Sequence, residues 1–582
     1  MTPSSVSTAR HPGALVLINS SAPRASDFER YVKSYLDYFG VPYDVCDLAS
    51  TQAPYDAGRY ALIIVGHEGA VVGAPNLDAA GVGRLANAIE GGTGLVSFDP
   101  LLFAPSDSAL SRWACATVGA LSGGAASPTA TTIEIHRGGL GEAITERHSD
   151  GETLSLFDEM AVPAFALSAG TNVLATAGEQ PLLVAAADGH ARALLWTSVA
   201  WMDSLVRGPL FGLDDLMWRG LAWAARKPFV LRGMPPTVTM RVDDVEGWGQ
   251  QVGPSPFWWL EALRDHQIKP WLGLFINELS HHAITELKEY IADGAVTASV
   301  HGFTWHNFFY FDHWNRKPFS SARIAEHFAL ANAWYARHGD FPMSKIALGH
   351  FYEMSSPALE GLARWGMEYL GTFVEVDKHY THLPYCTEPW LKAWPYRLHE
   401  EPRRANDTRW PIYYADFIPI PQAPEFDRRF FNCMIEIRDV AGYEWRPAND
   451  VPQTIERGAL QLKRAFDSLA PGVLFTHEGD YIYFIEPDNW RAEIEGVAAA
   501  VADYNPTYVT MDEAYQYVRA LRTSRVAGGA FDPVSGSLSI TLSGRTDLPL
   551  KVGVFGDDSL QPQWVEVAAF EGETTVQSAP GE

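Results

Sequence analysis

Between about residues 235 and 522, short apolar segments alternate with amphipathic ones, and three apolar segments end on groups that bind metals or move protons. "TVTMRVDD" closes on Asp243 and Asp244, "AVTASVH" on His301 and "PGVLFTH" on His477. In the first, Val238, Met240 and Val242 alternate as in a half-buried strand. The intervening stretches read as helices. "SPFWWLEALRDHQ" offers Ser255 as N-cap and Pro256 as first helical residue, and "SHHAITELKEYIADG" is capped by Ser280 and closed by Gly294. Strand–helix repetition of this kind predicts a central (β/α) barrel, distorted by a long irregular insertion over about 378–450. A barrel gathers the carboxyl ends of its strands at one mouth. With 18 histidines in the whole chain, two of them at strand ends beside a strand-end Asp-Asp pair is a poor match for chance.

Two adjacent carboxylates raise each other's pKa unless a cation offsets them. Arg241 is one source of positive charge, and a metal ion is another. One aspartate with two histidines makes a three-ligand site for zinc or a neighbouring divalent metal, with positions left open for water. The second aspartate is then free to accept a proton, and a histidine on the opposite side to donate one.

The flanking regions differ. Residues 12–230 alternate strands such as "GALVLINSS" and "YALIIVGHEG" with helices such as "GVGRLANAIEGG", which predicts a doubly wound α/β domain. Its pattern resembles flavodoxin-like and class I amidotransferase-like domains, but no cysteine occupies a strand-to-helix elbow and no glycine-rich phosphate loop follows the first strand. A structural or ligand-recognising role is expected. Residues 523–582 alternate with period two between Gly and Asp turns, as a small accessory antiparallel β-domain would. The domain division is therefore 12–230, 235–522 and 523–582.

Composition excludes several functions. The chain of 582 residues carries a formal charge of -26, which repels nucleic acids and anionic membranes. A neutral or cationic partner suits it better. No apolar run is long enough for a transmembrane segment. The four cysteines are widely spaced, giving neither a zinc ribbon nor a disulfide framework. No basic region precedes "GALVLINS", so a secretory leader is not visible; localisation stays open between the cytoplasm and, had a leader been removed, the periplasm or exterior.

"RVDDVEG", "VHGFTWH", "IALGHFYEMSSPALEGLARWGMEYLGTF" and "VLFTHEGD" resemble, in this order, the motifs of NodB-homology polysaccharide deacetylases. With the N-terminal domain, the chain resembles the large exopolysaccharide deacetylases. The resemblance implies Asp243 as catalytic base, Asp244, His301 and His306 as metal ligands, and His477 as catalytic acid. Zinc would be the cofactor, and an amino-sugar polysaccharide or oligosaccharide the substrate. "GHFYEMS" corresponds to the groove loop, where the Tyr352 backbone N–H would help hold the oxyanion. The chain departs from the pattern in two places. Four residues instead of three separate His301 from His306, which makes His313 a reserve ligand. The groove loop lacks the usual arginine and proline and offers His350, as substrate contact or extra ligand. Asp439 in "EIRDV" is the candidate partner for His477.

The 19 tryptophans include Trp248, Trp305 and Trp314 near the expected mouth, beside Phe308, Tyr310 and Tyr352. Some of these pack the barrel top, and the others, Trp248 and Trp305 first, offer faces for sugar rings. The function expected is metal-dependent hydrolysis of N-acetyl groups. The alternatives are the same machinery acting on a small amide or acyl metabolite, or a non-catalytic carbohydrate-binding protein.

Overall fold

The computed structural model describes residues 9–122, 127–202, 213–249, 255–339, 341–371, 376–377, 379, 416–433, 444–557 and 559–578. The chain is mixed α/β with a large parallel-rich sheet. In the N-terminal part, neighbouring strand residues part between two cores. Ala14, Val16, Leu62 and Ile64 enter one, and Leu15, Leu17, Ile63 and Val65 the other. Strand side chains of period two do this when both faces of a sheet are covered. The parallel strands lie in the order Tyr43–Asp47, His11–Ile18, Tyr60–Val65, Gly94–Ser97 and Ala191–Trp196. The same sheet continues antiparallel through Gln180–Asp188, Asn172–Ala177, Thr129–Ile135 and Thr153–Ala161.

Cys46 lies within the strand Tyr43–Asp47 and Cys115 inside the helix Ala109–Thr117, so neither occupies an elbow. Burial raises the pKa of both thiols, which makes them poor nucleophiles. Cys386 lies outside the described residues.

The central part is built on parallel strands in the order Thr297–Gly302, Pro270–Phe275, Thr237–Val245 and Gly472–His477. A second parallel sheet runs Ile346–Leu348, Tyr369–Gly371, Phe431–Asn432. The two meet where Ser344 N–H donates to Ala298 O at 2.8 Å and the Ser299 hydroxyl to Ile346 O at 2.6 Å. Val238, Met240 and Val242 enter the core beneath the surrounding helices, as the alternation predicts. The opposite face of that strand is polar and equally buried, through Thr239, Arg241 and Asp243. Ser280 caps the helix His281–Ala292 by accepting from Ala283 N–H. The preceding helix begins at Trp258, later than Ser255 and Pro256 suggest, because the Ser255 hydroxyl accepts from Phe257 N–H and holds a turn there.

The C-terminal strands are antiparallel, and they pair with a strand from far earlier in the chain. Leu550–Phe555 pairs with Gln563–Val567 on one side and with Phe229–Arg232 on the other. Val230 accordingly packs with Val526, Leu538, Ile540 and Val552. At the end of this strand the buried Arg232 joins segments far apart in sequence. Its N–H donates to Phe39 O at 2.6 Å, and its guanidinium donates to the Ser524 hydroxyl at 2.7 Å and to Leu521 O. Gly40 permits this contact: it is left-handed, and a Cβ there would lie 2.7 Å from the Arg232 Cβ. Burial lowers the Arg232 pKa to about 10, so it stays charged at neutral pH. Arg232→Met strips both acceptors of their donor and is expected to cost ~1–3 kcal/mol of stability, read as a lower urea midpoint. An unchanged midpoint would show that the guanidinium does not tie these segments together.

Candidate metal centre and active site

A regular strand would send Asp243 and Asp244 to opposite faces. Here the register to the neighbouring strand slips between Val242 and Val245, and Asp244 takes a left-handed conformation with φ 55°. The resulting bulge re-aims one side chain. Both carboxylates reach the same imidazole: His301 Nε2 lies 3.2 Å from Asp244 Oδ1 and 3.9 Å from Asp243 Oδ2.

The two carboxylates are then treated differently. Arg241, two residues back on the same strand face, donates Nε–H to Asp243 Oδ1 at 2.8 Å and a terminal N–H to Oδ2. The same guanidinium donates to the Tyr352 hydroxyl at 2.8 Å and lies over the Phe475 ring, 3.9 Å from its centroid. Asp243 is thus held by a fixed, charge-assisted fork. Asp244 faces imidazoles. His301 Nε2 is joined by His350 Nε2 at 3.7 Å from Asp244 Oδ1, and the three side chains offer ligand atoms within 4.8 Å of one another.

Local bonding fits this triad to a divalent cation. His301 Nδ1–H donates to Leu348 O at 2.7 Å, which leaves the Nε2 lone pair directed at the site. Asp244 Oδ1 is buried and accepts no hydrogen bond. Burial pushes the His350 pKa down to about 3, so its ring is neutral with a lone pair to give. Burial opposes the charge of Asp244, yet His350, His301 and His477 hold its carboxyl well below the usual range. One carboxylate and two imidazoles, with ligand atoms within 4.8 Å of one another, are a donor set for zinc or a neighbour.

The fourth strand end supplies His477, register partner of Asp243. Its Nδ1 lies 2.8 Å from Glu444 Oε2. The two atoms are aligned short of a hydrogen bond, so the pair as it stands is electrostatic. The other Glu444 oxygen accepts from the Tyr481 hydroxyl at 2.7 Å and from Arg446 Nε–H at 3.0 Å. Burial alone would lower the His477 pKa; the Glu444 carboxylate, helped by Asp244 and Asp243, raises it to about 9. Asp439 lies outside the described residues.

Several sequence expectations change here. His306 is not brought to Asp244. Residues after Gly302 form a tight turn, with Phe303 N–H bonded to Asn307 O and the Thr304 hydroxyl accepting from His306 and Asn307 N–H. That turn leaves the His306 ring exposed against Trp305, 4.8 Å between centroids. His313 is not brought there either, and instead pairs with Glu353 at 2.9 Å. The second imidazole is that of His350, which the sequence offered only as a substrate contact or extra ligand. The Tyr352 N–H is spent on Gly349 O at 2.7 Å and is not available to an oxyanion. Its hydroxyl instead accepts from Arg241. Glu444 was missed, because it sits in the irregular insertion with no period or motif to mark it. Trp248, Trp305 and Trp314 are 41%, 38% and 56% exposed, so they form no part of the packed core. Trp305 borders the triad, 5.7 Å from the His350 ring and 6.1 Å from Trp314. Phe308 and Tyr310 are buried packing.

No family model matches the chain, and no curated protein matches it in sequence. The structure is similar to that of Agd3, described as a novel carbohydrate deacetylase. The TM-score is 0.54 at 11% identity, over 97% of this chain and 98% of that one. The fold is deacetylase-like. A chain from Mycobacterium smegmatis, provisionally described as a polysaccharide deacetylase, covers 50% of this chain with 96% of its own, at 12% identity and a TM-score of 0.31. A ThuA-like protein from Bacteroides uniformis, also provisionally described, covers 39% with 97% of its own, at 13% identity and a TM-score of 0.26. Both are too remote to argue from. Among the described residues, no helix is long and apolar enough to cross a membrane.

If Asp244, His301 and His350 are the ligands, Asp244→Ala and His350→Ala each lose one equivalent of divalent metal while His306→Ala keeps it. Elemental analysis of the purified variants, with circular dichroism as the folding control, reads this directly. Metal retained by His350→Ala and lost from His306→Ala would reverse the assignment.

Proposed function

We propose that this chain is a metal-dependent hydrolase that removes acetyl groups from the nitrogens of an amino-sugar polymer or oligosaccharide. The observation that carries this reading is the division of labour at the strand ends: a bulged Asp-Asp pair with one carboxylate among imidazoles, and a histidine–carboxylate pair beside it. In this reading the central strands are a distorted (β/α) barrel of the NodB type, and the N-terminal domain is flavodoxin-like. That domain's parallel strand order, with the first strand second from the edge, is the one such folds use.

The cation, zinc by its donors, would be held by Asp244, His301 and His350, and when bound it supplies a Lewis acid that acidifies water and polarises the acyl oxygen. Asp243 takes the proton from the attacking water. Both its oxygens accept from Arg241, but each carboxylate oxygen has two acceptor sites, so one remains for water. Arg241 fixes which edge of the carboxylate faces the substrate. On the other side His477 delivers a proton to the leaving nitrogen, and Glu444 keeps the imidazolium populated and its ring oriented. Expulsion of an unprotonated sugar amide nitrogen is the difficult step, so the acid matters most for amides. The exposed Trp305 and Trp314 faces give a pyranose C–H surface somewhere to rest, which supports a sugar over a small acyl metabolite.

The acid form of His477 is complete below its pKa of about 9 and lost above it, so activity falls on the alkaline side. Glu444→Gln removes the charge that raises this pKa and is expected to move the alkaline limb of kcat/KM toward the ordinary histidine range near ~6.5. A limb that stays in place would disconnect Glu444 from the acid. His477→Ala should cost ~10²- to 10⁴-fold on N-acetylated chitin- or galactosamine-type oligomers, measured as acetate release, and much less on aryl acetates with good leaving groups. Equal losses on both substrates would remove the proton-donor role.

A further inference from the structure

The loop that supplies His350 runs on into a second buried cluster. His313 Nδ1 lies 2.9 Å from Glu353 Oε2 and His379 Nδ1 lies 2.6 Å from Glu353 Oε1. Each of the three side chains offers a ligand atom within 4.8 Å of the others. His313 and Glu353 are buried, and the His379 side chain is 9% exposed. We propose that His313, Glu353 and His379 bind a second divalent transition-metal ion, which fixes the groove loop carrying His350.

Two imidazoles and one carboxylate favour zinc, cobalt(II) or iron(II) over magnesium or calcium, which prefer oxygen ligands throughout. The site lies where the loop is under most strain. Phe351 and Tyr352 both have φ of 59°, a conformation costing ~1–3 kcal/mol for each such residue. Glu353 follows directly, so a metal–carboxylate bond at that residue holds the strained pair from its C-terminal side. The two clusters also touch. The Phe351 ring stacks on His313 at 4.0 Å and 16°, and on His350 at 4.2 Å and 17°. A shift of the His313 ring therefore moves a ring that rests on His350. Protonated histidines paired with Glu353 would give similar distances without a metal, and that alternative predicts no dependence on divalent ions.

The test is elemental analysis of the full-length protein dialysed against zinc. Two equivalents are expected in the wild type, one in Asp244→Ala, one in Glu353→Gln or His379→Ala, and none in Asp244→Ala combined with His379→Ala. Cobalt(II) added to zinc-free Asp244→Ala should give visible d–d bands that vanish on the further change His379→Ala. One equivalent in the wild type and none in Asp244→Ala would overturn the second site while leaving the first intact. Two equivalents in Asp244→Ala would instead count against the first centre alone. Should Glu353→Gln not fold, His379→Ala carries the comparison from the edge of the cluster, and a colourless cobalt-treated Asp244→Ala protein would by itself refute the proposal.

Discussion

The bulge at Asp243 and Asp244 is the constraint on which the site depends. An unbroken strand would bury one carboxylate toward the mouth and send the other into the surrounding core, where an unpaired charge is costly. Slipping the register and turning Asp244 left-handed brings both carboxylates within 3.9 Å of one imidazole nitrogen. Each then has its own compensation. Arg241 satisfies Asp243 from the same strand face, two residues away, and the imidazoles of His301 and His350 line Asp244. Arg241 is itself buried without exposure and would be as costly as the aspartates if any partner were missing. Carboxylate, guanidinium and the Tyr352 hydroxyl form one set, so substitution of any member disturbs the others.

That set also brings together the parts of the chain that are far apart in sequence. Tyr352 belongs to the groove loop, Phe475 to the late strand that ends on His477, and Arg241 lies against both rings. The loop residues Gly349 to Glu353 are consequently not a free surface segment. Gly349 approaches the Glu353 carbonyl so closely that a Cβ would lie 2.7 Å from it, and Tyr352 N–H closes the turn on Gly349 O. This tight turn points the His350 ring inward. A histidine on an ordinary extended loop would have had no reason to face Asp244.

These features separate what the sequence disclosed from what it did not. Strand ends were legible because the apolar segments of the sequence run out at Asp243, His301 and His477, and parallel strands then bring such ends to one side. Arg241 was legible as well, since two carboxylates demand a cation within reach. The second imidazole was not. The resemblance favoured His306 although four residues instead of three separate it from His301, but motif position predicts proximity only while the backbone follows the pattern, and a Thr304 turn intervenes. His350 comes from the loop that follows a different strand, Ile346–Leu348, and its approach to Asp244 is purely tertiary. Glu444 is invisible for a related reason: it reaches His477 from a stretch without periodicity, where no face could be assigned. Farther along, period two marked the C-terminal strands, yet nothing marked Phe229–Arg232 as a strand of the same sheet, because its partner lies more than 300 residues later.

Electrostatic asymmetry across the site follows from the same geometry. Glu444 is buried beside His477 and raises its pKa, while at His350 burial outweighs the pull of Asp244 and lowers it. Two histidines in one pocket are therefore set to opposite protonation states, one a donor of protons and the other a donor of electron pairs. Exchanging their partners would exchange their roles. A carboxylate placed beside His350 Nδ1 would favour the imidazolium and take away the lone pair that a cation needs. Without Glu444, His477 would be neutral at physiological pH and able to compete for the ion. The chemistry available to each ring is decided by the balance of burial against the neighbouring carboxylates and not by the ring itself.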